Sequence, residues 1–337
     1  MEENHQEKNY FPKIFTLMYH RIDRVDTNPW GICVSPKNFE KQIRFLQANF
    51  QVISINDLFS RLTSANIETN TICITFDDGY ADNFIYAKPI LEKYNCPAAF
   101  FIATAFIDQP FFWWDELEII LLHSKHLPQQ LALEIADETE HFIITETELS
   151  PQQWMQHKRW KWYQEPTTSR CKIYLSIWEK LLGINSCKIA EVINKIQDWA
   201  GYEVKKTTQR SPINTQQLRE LTTSNLFTTG MHTHTHCDLS HKNKNMQLDE
   251  ISLCKKILLE KFGVQNNFLS YPFGKYNDET LQVAHELQLN GCFTTEAHAV
   301  TKNTNKNVFG RYQVSNCNDI AFEKHIRKWS NAPMQIV

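Results

Sequence analysis

Two stretches carry residues whose types and spacing could do chemistry. Ile72-Cys73-Ile74-Thr75-Phe76-Asp77-Asp78-Gly79-Tyr80 is an apolar, β-favouring run that ends at two carboxylates and a glycine. Met231-His232-Thr233-His234-Thr235-His236 is a histidine cluster much later in the chain. His232 and His236 are four apart, so on one helical turn both rings share a face and can meet a single ion. A carboxylate such as Asp78 would complete a set of two nitrogens and one oxygen. That set suits Zn²⁺, and also Fe²⁺, Co²⁺ or Ni²⁺, better than Mg²⁺ or Ca²⁺. Asp77 need not be a ligand: it can hydrogen-bond the metal-bound water and act as general base. His234 points elsewhere on such a turn and is expected to be a neighbour. Asp82, one helical turn beyond Asp78, is expected to be solvated or capping. An isolated Asp-Asp-Gly is equally well a strand-to-helix turn with a capping aspartate. The histidines tip the reading toward a metal-dependent hydrolase.

The elements around these stretches alternate. Ile72–Phe76 shows no polar alternation and reads as a strand buried on both faces, the kind found in parallel sheets. Such sheets place their chemistry beyond the carboxyl ends of their strands, where Asp77 and Asp78 fall. Strands are also predicted at 14–19, 50–55, 98–103, 226–231, 268–271, 291–295 and 308–314, with helices between them. This rhythm implies right-handed βαβ crossovers, and the strand count fits an irregular (β/α) barrel better than an open sheet. It breaks between residues 108 and 212, where no strand-rich run is apparent and helical patterns dominate. That segment reads as a helical insertion in a single domain spanning 10–330. Its Phe111-Phe112-Trp113-Trp114 run and Trp160 and Trp162 read first as packing residues of a lid, and second as a surface touching sugar or lipid.

Composition narrows the classes. Hydrophobic residues make up 42% of the 337 positions and charged residues 22%, as in a globular protein. A formal charge of -3 excludes a generic electrostatic grip on nucleic acid. Nine cysteines without a Cys-x-x-Cys pair read as reduced core thiols. Residues 1–10 look like a loose polar tail with no apolar signal core, and no run approaches a membrane span. The expected location is cytoplasmic, possible at the inner face of a membrane.

Thr75-Phe76-Asp77-Asp78-Gly79-Tyr80 with His232-Thr233-x-x-His236 resembles the polysaccharide deacetylase family, the NodB-like carbohydrate esterases. Tyr271-Pro272-Phe273-Gly274 resembles the family's third motif. Leu17-Met18-Tyr19-His20-Arg21-Ile22 resembles the branch that includes poly-N-acetylglucosamine deacetylases. The resemblance implies a distorted (β/α) barrel with a divalent metal, Zn²⁺ foremost, on Asp78, His232 and His236. Asp77 would be the base, and a backbone N–H near Phe273 would help to hold the oxyanion, with Tyr271, Pro272 and Arg311 lining the substrate. The third motif usually opens with an arginine that orients the base, where this chain has Ser270. Arg311 or Arg21 could supply it instead. The late Leu-x-His motif is missing too, which leaves His20 as the expected general acid and His298 as its rival. The implied substrate is an N-acetylated amino sugar of an envelope polysaccharide or lipopolysaccharide precursor, lipid- or nucleotide-linked. Peripheral contact with a membrane or a lipid-linked glycan follows from that. The competing readings are a degenerate carbohydrate-binding relative and a hydrolase of another N-acyl amide, such as a formyl group.

Overall fold

The computed structural model describes residues 13–64, 70–203 and 210–331; the expected loose tail over residues 1–10 lies outside them. The strands are β1 (Ile14–Tyr19), β2 (Arg21–Ile22), β3 (Cys33–Val34), β4 (Gln51–Ile53), β5 (Thr71–Phe76), β6 (Ala98–Ile102), β7 (Gln130–Ile135), β8 (Glu138–Ile143), β9 (Phe227–Met231), β10 (Phe268–Ser270), β11 (Gly291–Phe293) and β12 (Tyr312–Gln313). Eight form one sheet in the order β11-β10-β9-β6-β5-β1-β12, with β4 also paired to β5. Every pairing in that sheet is parallel. All six residues of β1, β5 and, over its five, β6 are buried, as strands covered on both faces must be. The stacked rings of Phe76 and Phe100, 4.9 Å apart, lie in the core between sheet and helices.

The last stretch of the sheet draws its two edges together. Phe309 exchanges backbone hydrogen bonds with Cys292 and Thr294 beside β11, while Val314 donates to Met18 of β1. The result is the distorted (β/α) barrel expected of the alternation. The strand predicted over 308–314 is confined to Tyr312–Gln313 because this stretch changes partners midway. The strand predicted over 50–55 is likewise shorter. Ser54 caps the helix Ile55–Thr63 in a capping box with Asp57, so the chain turns helical at Ile55.

The segment between β6 and β9 has its own apolar cluster, from Leu117 through Trp160 and Tyr174 to Ile196. It is not wholly helical. β7 and β8 form an antiparallel hairpin, turning at Ala136 and Asp137, both at positive φ. Leu131, Leu133 and Ile135 alternate inward, a period-two signal that was present in the sequence without the Asn-Gly dipeptide that marks such turns. No helix among the described residues is long and apolar enough to cross a membrane.

A buried charge network joins this segment to the barrel. Arg21 reaches Asp82 at 3.1 Å, Asp23 at 3.4 Å and Asp115 at 3.6 Å. Arg210 reaches the same Asp115 at 3.1 Å and Glu118 at 2.8 Å. Asp82 is thus not solvated, and although it occupies the N-cap position of the turn Asn83–Ala87 its side chain makes no capping bond there; the carboxylate also accepts from the Ile22 amide. Burial pushes Asp82 up to about 6, against the pull of Arg21. An unfolded aspartate titrates near ~4. Between these values the folded chain holds a proton that the unfolded chain has released, so this contribution to stability falls as pH rises through 6. Asp82→Asn is therefore expected to gain stability relative to the natural chain between pH 4 and 7. Urea midpoints across that range check this, and a difference that does not vary with pH would refute it.

Candidate active site and metal centre

The site lies at the carboxyl ends of β1, β5, β9 and β10. Asp78 follows β5 at φ 72° and Gly79 at φ 88°, so the chain leaves the strand through two left-handed residues in succession. A side chain on Gly79 would also press on Ile102. The Asp77 amide donates to the carbonyl of Tyr19, which fixes the start of this turn to β1.

His232 and His236 are not on a helical turn. They flank a loop in which Thr233 and His236 have φ of 59° and 56°. The rings nevertheless converge: both Nε2 atoms lie 3.2 Å from Asp78 Oδ1. The loop is held by Glu250 of helix Lys244–Phe262, whose carboxylate accepts from the amides of His234 and Thr235 and from the Thr235 hydroxyl. His234 turns away to Thr104 Oγ1, as expected of a neighbour. Glu250 went unnoticed in the sequence because nothing local marks a carboxylate that binds a loop sixteen residues before it.

The three groups fit a metal ion. Asp78, His232 and His236 each offer one ligand atom, all within 4.8 Å of one another and all buried. Ligands about 2.0–2.1 Å from a tetrahedral Zn²⁺ lie roughly 3.3 Å apart, close to the separations observed. His232 Nδ1 sits 2.8 Å from the Ser270 carbonyl and so must carry a proton. In the neutral ring, Nε2 then presents a lone pair to the Asp78 carboxylate. Two nitrogens and an anion facing one point need a positive charge among them, a proton or a metal. Burial would lower the His232 pKa, but Asp77, Asp78 and the Ser270 carbonyl outweigh it and raise it. Burial would likewise raise Asp78, but the two histidines hold it well below the usual carboxylate range.

Asp77 is not among these ligand atoms. Arg311 clamps it with two hydrogen bonds of 2.7 Å, one to each oxygen. Ser270 Oγ accepts from Arg311 at 2.7 Å and donates to Asp77 at 3.1 Å. The guanidinium is anchored in turn on the Thr294 carbonyl and Thr75 Oγ1. Burial alone would raise the Asp77 carboxyl; Arg311 and His232 reverse this and hold it below its ordinary value. Arg21, the other candidate for this place, is committed to Asp82.

His20 follows β1 within electrostatic reach of Asp78 and Asp77, and burial lowers its pKa against their pull. Its Nδ1 is buried without a hydrogen-bond partner. His298 packs on Gly310, behind Arg311, with Nε2 3.8 Å from Glu296. Ser270 meets His232 through its carbonyl, and of Tyr271, Pro272 and Phe273 it is Phe273 whose ring reaches the cluster, 4.7 Å from that of His236. Tyr271 and Pro272 are buried, and the Tyr271 hydroxyl donates to the Asn307 carbonyl. Trp114, from the aromatic run, closes the other side of His236 at 4.8 Å and donates to the Tyr80 hydroxyl.

A family profile described as polysaccharide deacetylase matches residues 65–171 and 195–292, more than half of the chain. The chain belongs to the polysaccharide deacetylase family. YxkH of Bacillus subtilis (strain 168), provisionally named a polysaccharide deacetylase, is 22% identical to this deacetylase-family chain over 305 residues. That alignment covers 90% of this chain and 72% of YxkH. A poly-β-1,6-N-acetyl-D-glucosamine N-deacetylase of Staphylococcus aureus (strain MRSA252) is 32% identical over 125 residues, 35% of this chain and 42% of that relative. The fold is shared with the Streptococcus pyogenes deacetylase PplD, solved with acetate, at a TM-score of 0.58 and 17% identity. That match covers 96% of this chain and 100% of PplD.

The convergence of three ligand atoms predicts that this deacetylase-family chain, incubated with Zn²⁺ and desalted, retains about one ion per chain. His232→Ala/His236→Ala is expected to retain none. Elemental analysis of both proteins decides this.

Proposed function

We propose that this protein is a metal-dependent N-deacetylase that hydrolyses the N-acetyl group of an amino sugar in a cell-envelope glycan or its lipid- or nucleotide-linked precursor. The observation that carries this reading is the pairing of unlike carboxylates. Asp78 faces the two histidines, while Asp77, one residue earlier, is kept ionised by Arg311 and apart from them. Family membership and the stretch shared with a poly-β-1,6-N-acetyl-D-glucosamine N-deacetylase support the substrate class.

Asp78, His232 and His236 would hold the metal, Zn²⁺ foremost, which supplies Lewis-acid polarisation and a water acidic enough to react near neutral pH. Asp77 takes the proton of the attacking water. The water oxygen bonds the acetyl carbon, the C–N bond breaks, and acetate and a free amine leave. His20 gives the amine its proton; a burial-lowered pKa makes its imidazolium a stronger acid for that step. A backbone N–H at Phe273 supports the oxyanion. Ser270, where the family has an arginine, was the motive for a catalytically degenerate reading. Arg311 supplies the guanidinium to the same carboxylate from another strand end, which removes that motive.

Asp77→Asn is expected to lower kcat for acetate release from N-acetylglucosamine oligomers by roughly 100- to 10,000-fold. In Arg311→Met, Asp77 loses the charge that holds it down, so the acid limb of kcat/KM should move to higher pH. A variant that keeps the natural limb would show that Arg311 does not tune the base. Full activity of Asp77→Asn would overturn the mechanism.

A further inference from the structure

A line of aromatic rings leads from the candidate site to the surface. From His236 the ring of Phe273 lies at 4.7 Å, and Trp178 of helix Ser169–Leu182 lies 5.8 Å beyond it. Trp30 follows at 4.2 Å and Trp162 at 5.7 Å, the last two stacked at 27°. Tyr163 ends the line 6.0 Å further on. Phe273, Trp178 and Trp30 are half-buried, whereas Trp162 is 49% and Tyr163 71% exposed.

Packing accounts for the inner rings and not for the outer pair. Trp160, two residues before Trp162, is buried and is the core residue of this stretch. Trp162 and Tyr163 present faces to solvent that add nothing to a core, and a run of large exposed rings beside a site marks a binding surface. The platform is also rigid before any ligand arrives. The Trp162 amide donates to the Pro29 carbonyl, Lys161 Nζ to the Asn28 carbonyl, and Trp30 Nε1 to the Tyr174 hydroxyl at 2.6 Å. Ring faces fixed in this way bind at little cost in conformational entropy.

We infer that this line is a track for a glycan chain, on which successive sugar rings lay their C–H faces while one N-acetyl group sits at Asp78 and the histidines. The inference rests on the deacetylase reading for the chemistry of the ligand. Two observations favour a sugar over an anionic lipid surface. The line is continuous with the site through Phe273. Of the basic residues beside Trp162, Lys158 is engaged with Asp26 at 2.8 Å and Lys161 with the Asn28 carbonyl, which leaves the exposed Arg159 without their help in holding a phosphate. Beyond Phe273 the track lies outside the family's shared motifs: Trp162, Tyr163 and Trp178 belong to the segment between β6 and β9, and Trp30 to the loop between β2 and β3.

Calorimetric titration of Asp77→Asn, which keeps the ligand intact, with N-acetylglucosamine oligomers of one to five units tests this. Affinity is expected to rise with length. Adding Trp162→Ala and Tyr163→Ala should weaken the longest oligomer by roughly five- to tenfold and erase the gain. Trp162→Tyr, which keeps an aromatic face, should restore most of it and controls for folding. Affinity that does not vary with length, or a gain that survives the alanine changes, overturns the track. So does Trp162-dependent binding to vesicles of phosphatidylcholine with phosphatidylglycerol, an anionic lipid, without any effect of oligomer length. Because binding is read without catalysis, the two readings separate. A natural chain that releases no acetate, while its Asp77→Asn form still grips long oligomers through Trp162, loses the enzyme and keeps the track. Acetate release without a length effect does the reverse.

Discussion

The buried pair of Arg311 and Asp77 is the interaction on which the rest of the site depends. A carboxylate with no access to water tends to pick up a proton and is then useless as a base. Two hydrogen bonds from a planar guanidinium, with Ser270 closing the triangle, keep this one ionised. The same arrangement commits both oxygens of Asp77 to Arg311, while Asp78 takes the two histidines. Neighbouring aspartates, both held ionised, are thereby given different partners by the fold alone.

Everything else positions these few atoms. Parallel strands bring the ends of β1, β5, β9 and β10 to one rim. Left-handed residues at Asp78, Thr233, His236 and Phe273 then bend each segment inward within one or two positions. Such conformations are costly for residues other than glycine, and their concentration at one rim marks where the fold trades ease of folding for placement. Glu250 holds the histidine loop from outside, and Trp114 walls it from the inserted segment. That segment is tied to the barrel by Arg21 and Arg210, which engage four carboxylates between them and share Asp115.

Much of this was legible in the residues themselves. The continuous apolar run before Asp77 gives a covered strand, and carboxylates at its end are displayed on the rim of a parallel sheet. Four-residue spacing in His232–His236 signalled a shared ion, although the convergence comes from a strained loop instead of a helical turn. The hairpin of β7 and β8 was obscured because its alternation is short and its turn, Ala136-Asp137, lacks the usual residues. Asp82 was misplaced because spacing along a helix says nothing about a partner sixty-one positions earlier. The partner of Tyr271 was hidden for a similar reason: its motif fixes the turn at Phe273, while its hydroxyl is drawn to Asn307. Local pattern reports strand, turn and face; the pairing of distant charges is a property of the closed fold.

The stretch that delivers Arg311 is also the one that joins the two edges of the sheet, and Asp77 lies 234 positions before it. The histidines and Asp78 are contributed by strands that pair before that seam is made in the sequence order of the chain. A C-terminally shortened polypeptide would therefore keep Asp78 and the two histidines while losing the guanidinium that pairs with Asp77. The Arg311–Asp77 pair is in this sense a mark of the closed sheet. It exists only when the first strand and the last have met.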